Sequence, residues 1–339
     1  MELRDVPEPE SAPGEAIVAV SFCGICGSDL HEYSSTAPSL RTAGGFQQVM
    51  GHEFTGVVAS VAPDVDSLSP GDTVVVHPGG ACGDCYYCQN DRSNLCATQI
   101  GTGYLRQGAY AERVAIRADQ ALRLPEGANL EAVALTEPFA VALRAVNRGD
   151  LMPGESILIT GAGPIGLLST IAAARRNAGT IIVSEPTASR RELALSLGAH
   201  HAIDPAGSTP AQVRQLTGDR GVDIAIEAVG IAATMAVRIA STMDDCANSV
   251  RRGGRIVVAG SFFEPYTMNL LNLIMHEQSI IGTFGYVNEF QEAMQLITSG
   301  EVDVTPLISR TVALDDLPAV FEEITNDRSR DNKVLVRPN

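Results

Sequence analysis

Residues 156–176 read SILITGAGPIGLLSTIAAARR. The apolar strand Ile157–Thr160 runs straight into Gly161-Ala162-Gly163-Pro164-Ile165-Gly166, which opens a helix continuing to Arg176. Glycines in such a turn let the chain double back tightly and let a pyrophosphate approach the backbone, while the helix N-terminus offers unpaired N–H groups and a positive dipole. A glycine hexad alone is a weak sign. Here the next strand, Thr180–Ser184, ends at Glu185, nineteen residues after Gly166, where a carboxylate can meet ribose hydroxyls. Ile157–Ala174 is also the most apolar stretch of the chain. Its three glycines and Pro164 interrupt it and Arg175-Arg176 close it, so it is a poor membrane span.

The same rhythm continues downstream. Strand-like runs at Ile224–Ala228, Arg255–Ala259 and Ser279–Gly282 alternate with helical runs at Ser189–Leu197 and Ala211–Leu216, the pattern of a parallel sheet with crossover helices. The tail reads as helix Glu289–Thr298, strand Ile308–Ala313, helix Leu317–Asn326 and strand Lys333–Arg337, and it could return to the first domain. Upstream, short β-like runs (Ala16–Ser21, Gly56–Val61, Thr73–His77, Tyr110–Ile116) are separated by Gly, Pro and Asp turns, so the first domain reads as β-rich. Helical runs at Glu131–Leu135 and Val141–Val146 lead to a boundary near Asn147–Pro153.

Two metal-ligand patterns lie in the β-rich part. Cys82, Cys85, Cys88 and Cys96 are spaced x2, x2, x7 in a loop rich in Gly, Asp and Asn, where four thiolates can converge tetrahedrally on one Zn²⁺ and leave no open position. Unligated thiols or a thiol redox switch are the plainer alternatives. The second pattern is dispersed: Cys26 in Gly24-Ile25-Cys26-Gly27-Ser28-Asp29-Leu30-His31, His52-Glu53 after Gly51, and Glu137 before Pro138. Three such ligands would leave one position for water or substrate. Taken singly, each is more often structural.

Composition narrows the class. The 339 residues carry 40 acidic against 24 basic side chains, a net charge of −16, with no dense Lys/Arg cluster, so nucleic acid binding is not expected. With 45% hydrophobic and 19% charged residues the chain can build large cores. Met1–Pro13 carries Glu2, Arg4, Asp5, Glu8 and Glu10 rather than a basic start and an apolar stretch. A cytoplasmic location and no membrane segment are therefore expected. The seven cysteines are odd in number and four of them, Cys82–Cys96, have metal spacing, not that of a disulfide framework.

In order along the chain, Cys23-Gly24-Ile25-Cys26-Gly27-Ser28-Asp29-Leu30-His31, Gly51-His52-Glu53, the four-cysteine lobe, Thr136-Glu137-Pro138 and the glycine fingerprint closely resemble the zinc-dependent medium-chain dehydrogenase/reductase family, in particular its butanediol, sorbitol and threonine dehydrogenase branch. The resemblance implies an α/β protein: a GroES-like β-rich catalytic domain (1–147 and 288–339, with the zinc lobe 82–96) and a Rossmann, doubly wound parallel-sheet nucleotide-binding domain (148–287). It implies two Zn²⁺ per chain, a catalytic one on Cys26, His52 and Glu137, with Glu53 able to exchange onto it, and a structural one on Cys82, Cys85, Cys88 and Cys96. Glu137 would ligate directly or through water. Ser28 would pass the alcohol proton toward the ribose and His31, and Asp29 would orient His52. Cys23 reads as a buried neighbour.

The expected activity is hydride transfer between a secondary alcohol, first a vicinal diol or polyol, and NAD, giving a ketone or hydroxyketone. A non-catalytic nucleotide-binding or redox-sensing protein is the competing class, and it would hold one zinc rather than two. Gly161, Gly163, Pro164, Ile165, Gly166 and Glu185 are the expected cofactor contacts, with NAD preferred because a 2′-phosphate would meet Glu185. Arg190 and Arg191 complicate that preference, since either could swing toward the adenosine end. Association into a homodimer or homotetramer is expected from the family and from the apolar run Leu270–Ile274, whose plainer reading is ordinary core. Two departures stand out. The chain starts at Met1-Glu2-Leu3-Arg4 where the family has a leading strand, so either a strand is expected to be lacking or the start to be truncated. Ile231–Arg252 is longer than expected by a turn or two, and its Cys246 reads as a structural or exposed free thiol.

Overall fold

The computed structural model of the chain describes residues 1–34, 49–230, 236–262 and 265–338. Two compact units emerge, Met1–Ala140 with Tyr286–Asn339, and Val141–Gly285.

The first unit is built on a seven-stranded sheet ordered Ile308–Ala313, Lys333–Arg337, Glu15–Gly24, Glu53–Val61, Thr73–Val76, Ala121–Arg123, with Arg113–Arg117 also pairing with Glu15–Gly24. Its apolar positions fill one core, with Val18, Val20, Phe54, Val58, Val74, Val76, Ile116, Phe321 and Val336 all buried. The register matters more for function than the core does. Gly24 lies opposite Glu53 on one side and Leu335 on the other, and Cys23 lies opposite Phe54 and Val336. One end of the sheet therefore gathers residues some 300 positions apart in sequence: the turn that follows Gly24, the His52-Glu53 pair, and the start of the last strand. Gly24 is required there, since a side chain would collide with the Glu53 carboxylate. The helix Thr136–Arg148 begins in this unit and carries Glu137 in its first turn.

The second unit is a six-stranded, all-parallel sheet in the order His201–Ile203, Thr180–Ser184, Ser156–Thr160, Val222–Glu227, Val250–Val258, Ser279–Gly282. Counted within the unit this is 3-2-1-4-5-6, the doubly wound order whose switch point lies between the first and fourth strands. Ser156–Thr160 and Val222–Glu227 are buried throughout, as strands covered on both faces must be. The same holds for the helix Pro164–Arg175, buried from Gly166 to Ala173, which is why this stretch is so apolar without entering a membrane. Among the described residues no helix is long and apolar enough to cross one.

Three details differ from the sequence expectation. His201–Ile203 is a strand of three residues, too short to leave a periodic signal. Val250–Val258 starts five residues earlier than expected, because Val222 pairs with Val250 ahead of a register shift. The run Leu270–Ile274 is not core: it lies in the helix Leu270–His276 with Leu270, Leu271, Ile274 and Met275 60 to 69% exposed. Of Ile231–Arg252, residues 231–235 lie outside the described residues, and the helix Ala236–Ser249 follows them. Its Cys246 is buried beside Thr160 Oγ1 at 3.7 Å, a packed thiol rather than an exposed one.

Candidate active site and metal centres

At the end of the first unit's sheet, Cys26, His52 and Glu53 bring ligand atoms within 4.8 Å of one another. Each is placed by local geometry. Cys26 closes the turn after Gly24, its carbonyl accepting from the Asp29 and Leu30 amides as the helix Gly27–Ser34 begins. Gly51 adopts a left-handed φ of 95° and would press a side chain against Tyr110 and Cys23, so only glycine turns His52 and Glu53 inward there.

Asp29 anchors the group from beneath. It is fully buried, takes a hydrogen bond from the Tyr110 hydroxyl at 2.8 Å and one from the Cys26 amide at 3.2 Å, and turns Oδ1 to His52 Nδ1 at 3.6 Å. Burial works against a charged His52, but the Asp29 and Cys26 charges outweigh it and push its pKa well above the usual value. That electrostatic demand for a cation, with a thiolate, an imidazole and carboxylates converging, suits a divalent metal.

Glu53 and Glu137 differ in their surroundings. Glu53 is held by Lys333, whose Nζ donates to Oε2 at 2.6 Å, to Oε1 at 3.0 Å and to the Ile25 carbonyl at 3.0 Å. For Glu53 to ligate a metal it must share an oxygen between the two cations. Glu137 stands outside the 4.8 Å set of Cys26, His52 and Glu53. Burial pushes its carboxyl up to about 7, with the Glu53 charge adding to the rise and His52, Lys333 and a hydrogen bond from Tyr286 opposing it. Tyr286 is itself buried and packs between His77 and Phe290, at centroid distances of 4.8 and 5.3 Å.

Ser28 sits in the first turn of the helix Gly27–Ser34 and His31 three residues on, neighbours on one helix face. Ser28 Oγ lies 3.3 Å from the hydroxyl of Tyr104, which in turn lies 2.6 Å from His52 Nε2. Burial, reinforced by the charges of Cys26, Glu137 and Asp29, pushes the Tyr104 pKa well above the ordinary phenol value.

The four-cysteine lobe is a separate centre. Four sulfurs about 2.3 Å from a common tetrahedral centre stand about 3.8 Å apart, and here Cys82–Cys88, Cys85–Cys88 and Cys82–Cys96 are 3.9, 3.5 and 3.5 Å. Backbone donors at Cys82 and Thr98 lower the Cys96 thiol, while burial raises that of Cys88, so a full set of thiolates needs a bound cation to hold it. The donor set and spacing fit zinc, with all four positions taken by protein.

In the second unit the glycine fingerprint has the geometry a pyrophosphate requires. Gly161 has a φ of 87°, a Cβ on Gly166 would strike the Gly161 carbonyl, and a Cβ on Gly163 would project into open space. Gly163 precedes the helix as its cap, with Pro164 in the first turn, leaving the helix N-terminus accessible to an anion. Ile165 follows in the same turn, half-buried. Glu185 is buried, accepting from the Ala162 amide at 2.8 Å and the Thr187 amide at 2.9 Å, so it ties the second strand to the glycine turn. Arg191 bonds the Glu185 and Pro186 carbonyls at 2.7 Å each and pairs with Asp204 at 3.3 Å. Arg190 lies half-buried in the first turn of the helix Ala188–Ser196.

Four residues of this machinery escape a reading of the sequence: Tyr104, Tyr110, Tyr286 and Lys333. Only Lys333 carries a signal, a lysine opening the strand KVLVR, whose first four residues are all buried. A buried ammonium needs a buried partner.

Residues 12–126 match the family model described as alcohol dehydrogenase GroES-like domain, and 164–299 the one described as zinc-binding dehydrogenase. The chain is 33% identical to the sorbitol dehydrogenase of Bacillus subtilis, over all of this chain and 94% of that one. It is 30% identical to the (R,R)-butanediol dehydrogenase of Neisseria gonorrhoeae, over 100% and 97% respectively. Among solved structures, a zinc-binding dehydrogenase of Sinorhizobium meliloti bound to NADP superposes with a TM-score of 0.87 at 30% identity, covering 99% of this chain and 95% of that one.

Proposed function

The chain belongs to the zinc-type medium-chain alcohol dehydrogenase family, and from that premise we propose that it oxidises a secondary alcohol bearing an adjacent hydroxyl, a vicinal diol or polyol, to the ketone with NAD, or runs the reverse. The convergence of Cys26, His52 and Glu53 beside the Ser28 hydroxyl carries this reading. When bound, zinc supplies a Lewis acid that acidifies the substrate hydroxyl, and the nicotinamide supplies the hydride acceptor.

The chain's own residues do the rest. Cys26 and His52 hold the metal, with Glu53 and Glu137 as the carboxylates within reach of it. Asp29 fixes the His52 ring through Nδ1, and Ser28 takes the alcohol proton and hands it toward His31. We assign 1–147 and 288–339 to the catalytic domain and 148–287 to NAD binding through Gly161, Gly163, Pro164, Ile165, Gly166, Glu185 and Arg190. A panel of diols, polyols, amino alcohols and simple alcohols, read by NADH absorbance, tests the substrate class. Diols and polyols turning over no better than isolated alcohols would refute it. Zinc analysis should return close to two per chain.

NAD is the preferred cofactor in this reading because Glu185 stands where a 2′-phosphate would meet like charge, and because Arg191 is committed to two carbonyls and Asp204. The similar S. meliloti protein bound to NADP makes the comparison of both cofactors the natural test. The wild type should give the higher kcat/KM with NAD⁺, and Glu185→Ser should narrow the ratio by about tenfold or more. A higher value with NADP⁺, or a ratio that Glu185→Ser leaves alone, contradicts the assignment.

We also place the protein in the cytoplasm, consistent with cysteines that are all free, and as a dimer or tetramer in solution. The exposed face of Leu270, Leu271, Ile274 and Met275 lies close in sequence to Ser279–Gly282, an edge strand that among the described residues pairs only with Val250–Val258, and to exposed Phe284. A sheet edge beside such apolar side chains is a liability that pairing with a second copy removes. Light scattering should give at least twice the 35.7 kDa chain mass, and Ile274→Glu should shift the population toward single chains. A monomeric wild type at micromolar concentration would refute the association.

A further inference from the structure

Val222–Glu227, the fourth strand of the second unit in chain order, carries a buried acid near each end. Asp223, near its start, is served by the Ser156 amide at 2.7 Å, the Ser156 hydroxyl at 2.6 Å and Arg251 Nε at 2.6 Å. Glu227, at its carboxyl end, is fully buried, and among the described residues no Lys, Arg or His pairs with it. Neutral donors hold its carboxylate instead: the Val229 amide at 3.1 Å, the Gly230 amide at 3.3 Å from each oxygen, the Gly260 amide and the Thr242 hydroxyl. Burial raises its pKa, and those donors oppose the rise. A carboxylate buried without a cation costs stability. The sheet itself does not call for one there, since the register neighbours Thr160 and Val258 carry no charge.

The loops that Glu227 holds flank the crevice. Its strand adjoins Ser156–Thr160 at the switch point, outside whose carboxyl ends dinucleotides bind. The Ala228 amide donates to the Thr160 carbonyl at 3.1 Å, and a Cβ on Gly161 would lie 2.7 Å from the Val229 side chain. The loop after the fourth strand therefore runs along the glycine turn. The Glu227 carbonyl takes the Ala259 and Gly260 amides at 2.9 Å each, and a Cβ on Gly260 would strike both the Glu227 carboxylate and the Gly230 amide. One residue thus joins the loops that follow the fourth and fifth strands. Each half of a doubly wound sheet holds one mononucleotide. The glycine turn and Glu185 belong to the first half, and the two loops on Glu227 to the second.

We propose that Glu227 is a positioning residue for the nicotinamide half of the cofactor: by gathering the Val229, Gly230 and Gly260 amides it keeps both loops in one arrangement, a wall formed before the dinucleotide arrives. The inference rests on the dinucleotide reading above and deepens it. A preformed wall spares the ordering cost that loose loops would incur on binding, which accounts for a carboxylate that burdens the cofactor-free protein. Glutamine matches its volume but turns an NH₂ group toward backbone donors, so it cannot hold all three amides.

The test measures binding by calorimetry, without turnover, on wild type, Glu227→Gln and Asp223→Asn. The ligands are NADH or NADPH, whichever the wild type holds more tightly, and ADP, which lacks the nicotinamide half. Glu227→Gln should raise the dinucleotide Kd by about tenfold or more and the ADP Kd by about twofold or less. Asp223→Asn should lower the melting temperature and leave both constants within about twofold of wild type. A Glu227→Gln protein with wild-type dinucleotide affinity overturns the proposal. So does an equal loss of ADP binding, or an Asp223→Asn protein that loses the dinucleotide as severely. Should Glu227→Gln fail to fold, hydrogen exchange on wild type decides. The Val229, Gly230 and Gly260 amides should be protected before cofactor is added, and protection that arises only with cofactor overturns the proposal. A wild type that binds neither dinucleotide refutes the cofactor reading itself and this proposal with it, whereas a wild type that binds while the variant matches it refutes this proposal alone.

Discussion

Cys26→Ser is expected to lower kcat/KM by at least about a thousandfold and to leave the fold standing. A serine hydroxyl is a far poorer zinc ligand than a thiolate, and Cys26 is one of three groups whose ligand atoms lie within 4.8 Å in the open site. Its backbone duties, the Asp29 and Leu30 amides on its carbonyl and its own amide on Asp29, survive the substitution. Zinc should fall from close to two per chain to close to one. Cys85→Ser is the matched control at the other centre. It leaves three sulfurs for a four-coordinate ion in a loop whose only regular pieces are the short turns Cys88–Asn90 and Ser93–Leu95, so the lobe loses the ion that organises it and the protein should melt earlier or aggregate. Zinc analysis, thermal melting and NADH absorbance on the two variants separate the roles. Equal loss of folding in both, or an active Cys26→Ser enzyme with two zinc ions, would sink the assignment.

Lys333→Met should be the most destabilising single change in the first unit, at about 3–5 kcal/mol. Lys333 and Glu53 are 2 and 1% exposed, and the ammonium serves both carboxylate oxygens and the Ile25 carbonyl. Burial opposes the charged lysine, but the Glu53 charge outweighs it and raises the Lys333 pKa. Methionine matches the length and removes the charge, leaving a buried carboxylate without its cation. At about 2–4 °C per kcal/mol for a unit of this size, the melting temperature should drop by about 6–20 °C. The double variant Lys333→Met with Glu53→Gln should recover part of the loss, because the stranded charge is gone, although Glu53→Gln also touches the metal site. Recovery of stability without recovery of activity is the expected signature. A Lys333→Met protein as stable as wild type would mean that the pair contributes nothing net.

The second unit was legible almost strand by strand. Its strands are buried on both faces and read as continuous apolar runs, and Gly161 and Gly166 stand where backbone conformation or close approach tolerates little else. The first unit was legible in the spacing of Cys82, Cys85, Cys88 and Cys96, because thiolates that converge on one point lie close together along a loop. How the dispersed candidates Cys26, His52 and Glu53 are held was not. Asp29 is anchored by Tyr110, eighty-one residues away, Glu53 by Lys333, 280 away, and His52 by Tyr104, fifty-two away.

The sequence by itself marked the four-cysteine spacing and five of the six strands of the nucleotide-binding unit, since each depends on local periodicity or on spacing within a short segment, while the doubly wound order came only with the family resemblance. Only the tertiary structure decided that Leu270, Leu271, Ile274 and Met275 face outward, that Glu53 rather than Glu137 shares the 4.8 Å set with Cys26 and His52, and that a tyrosine hydroxyl stands between His52 and Ser28. The reason is the antiparallel register that sets Gly24 against both Glu53 and Leu335. Pairings between strands this far apart in the chain depend on the packing of the whole sheet, and no local pattern records which lysine or tyrosine will complete a buried charge.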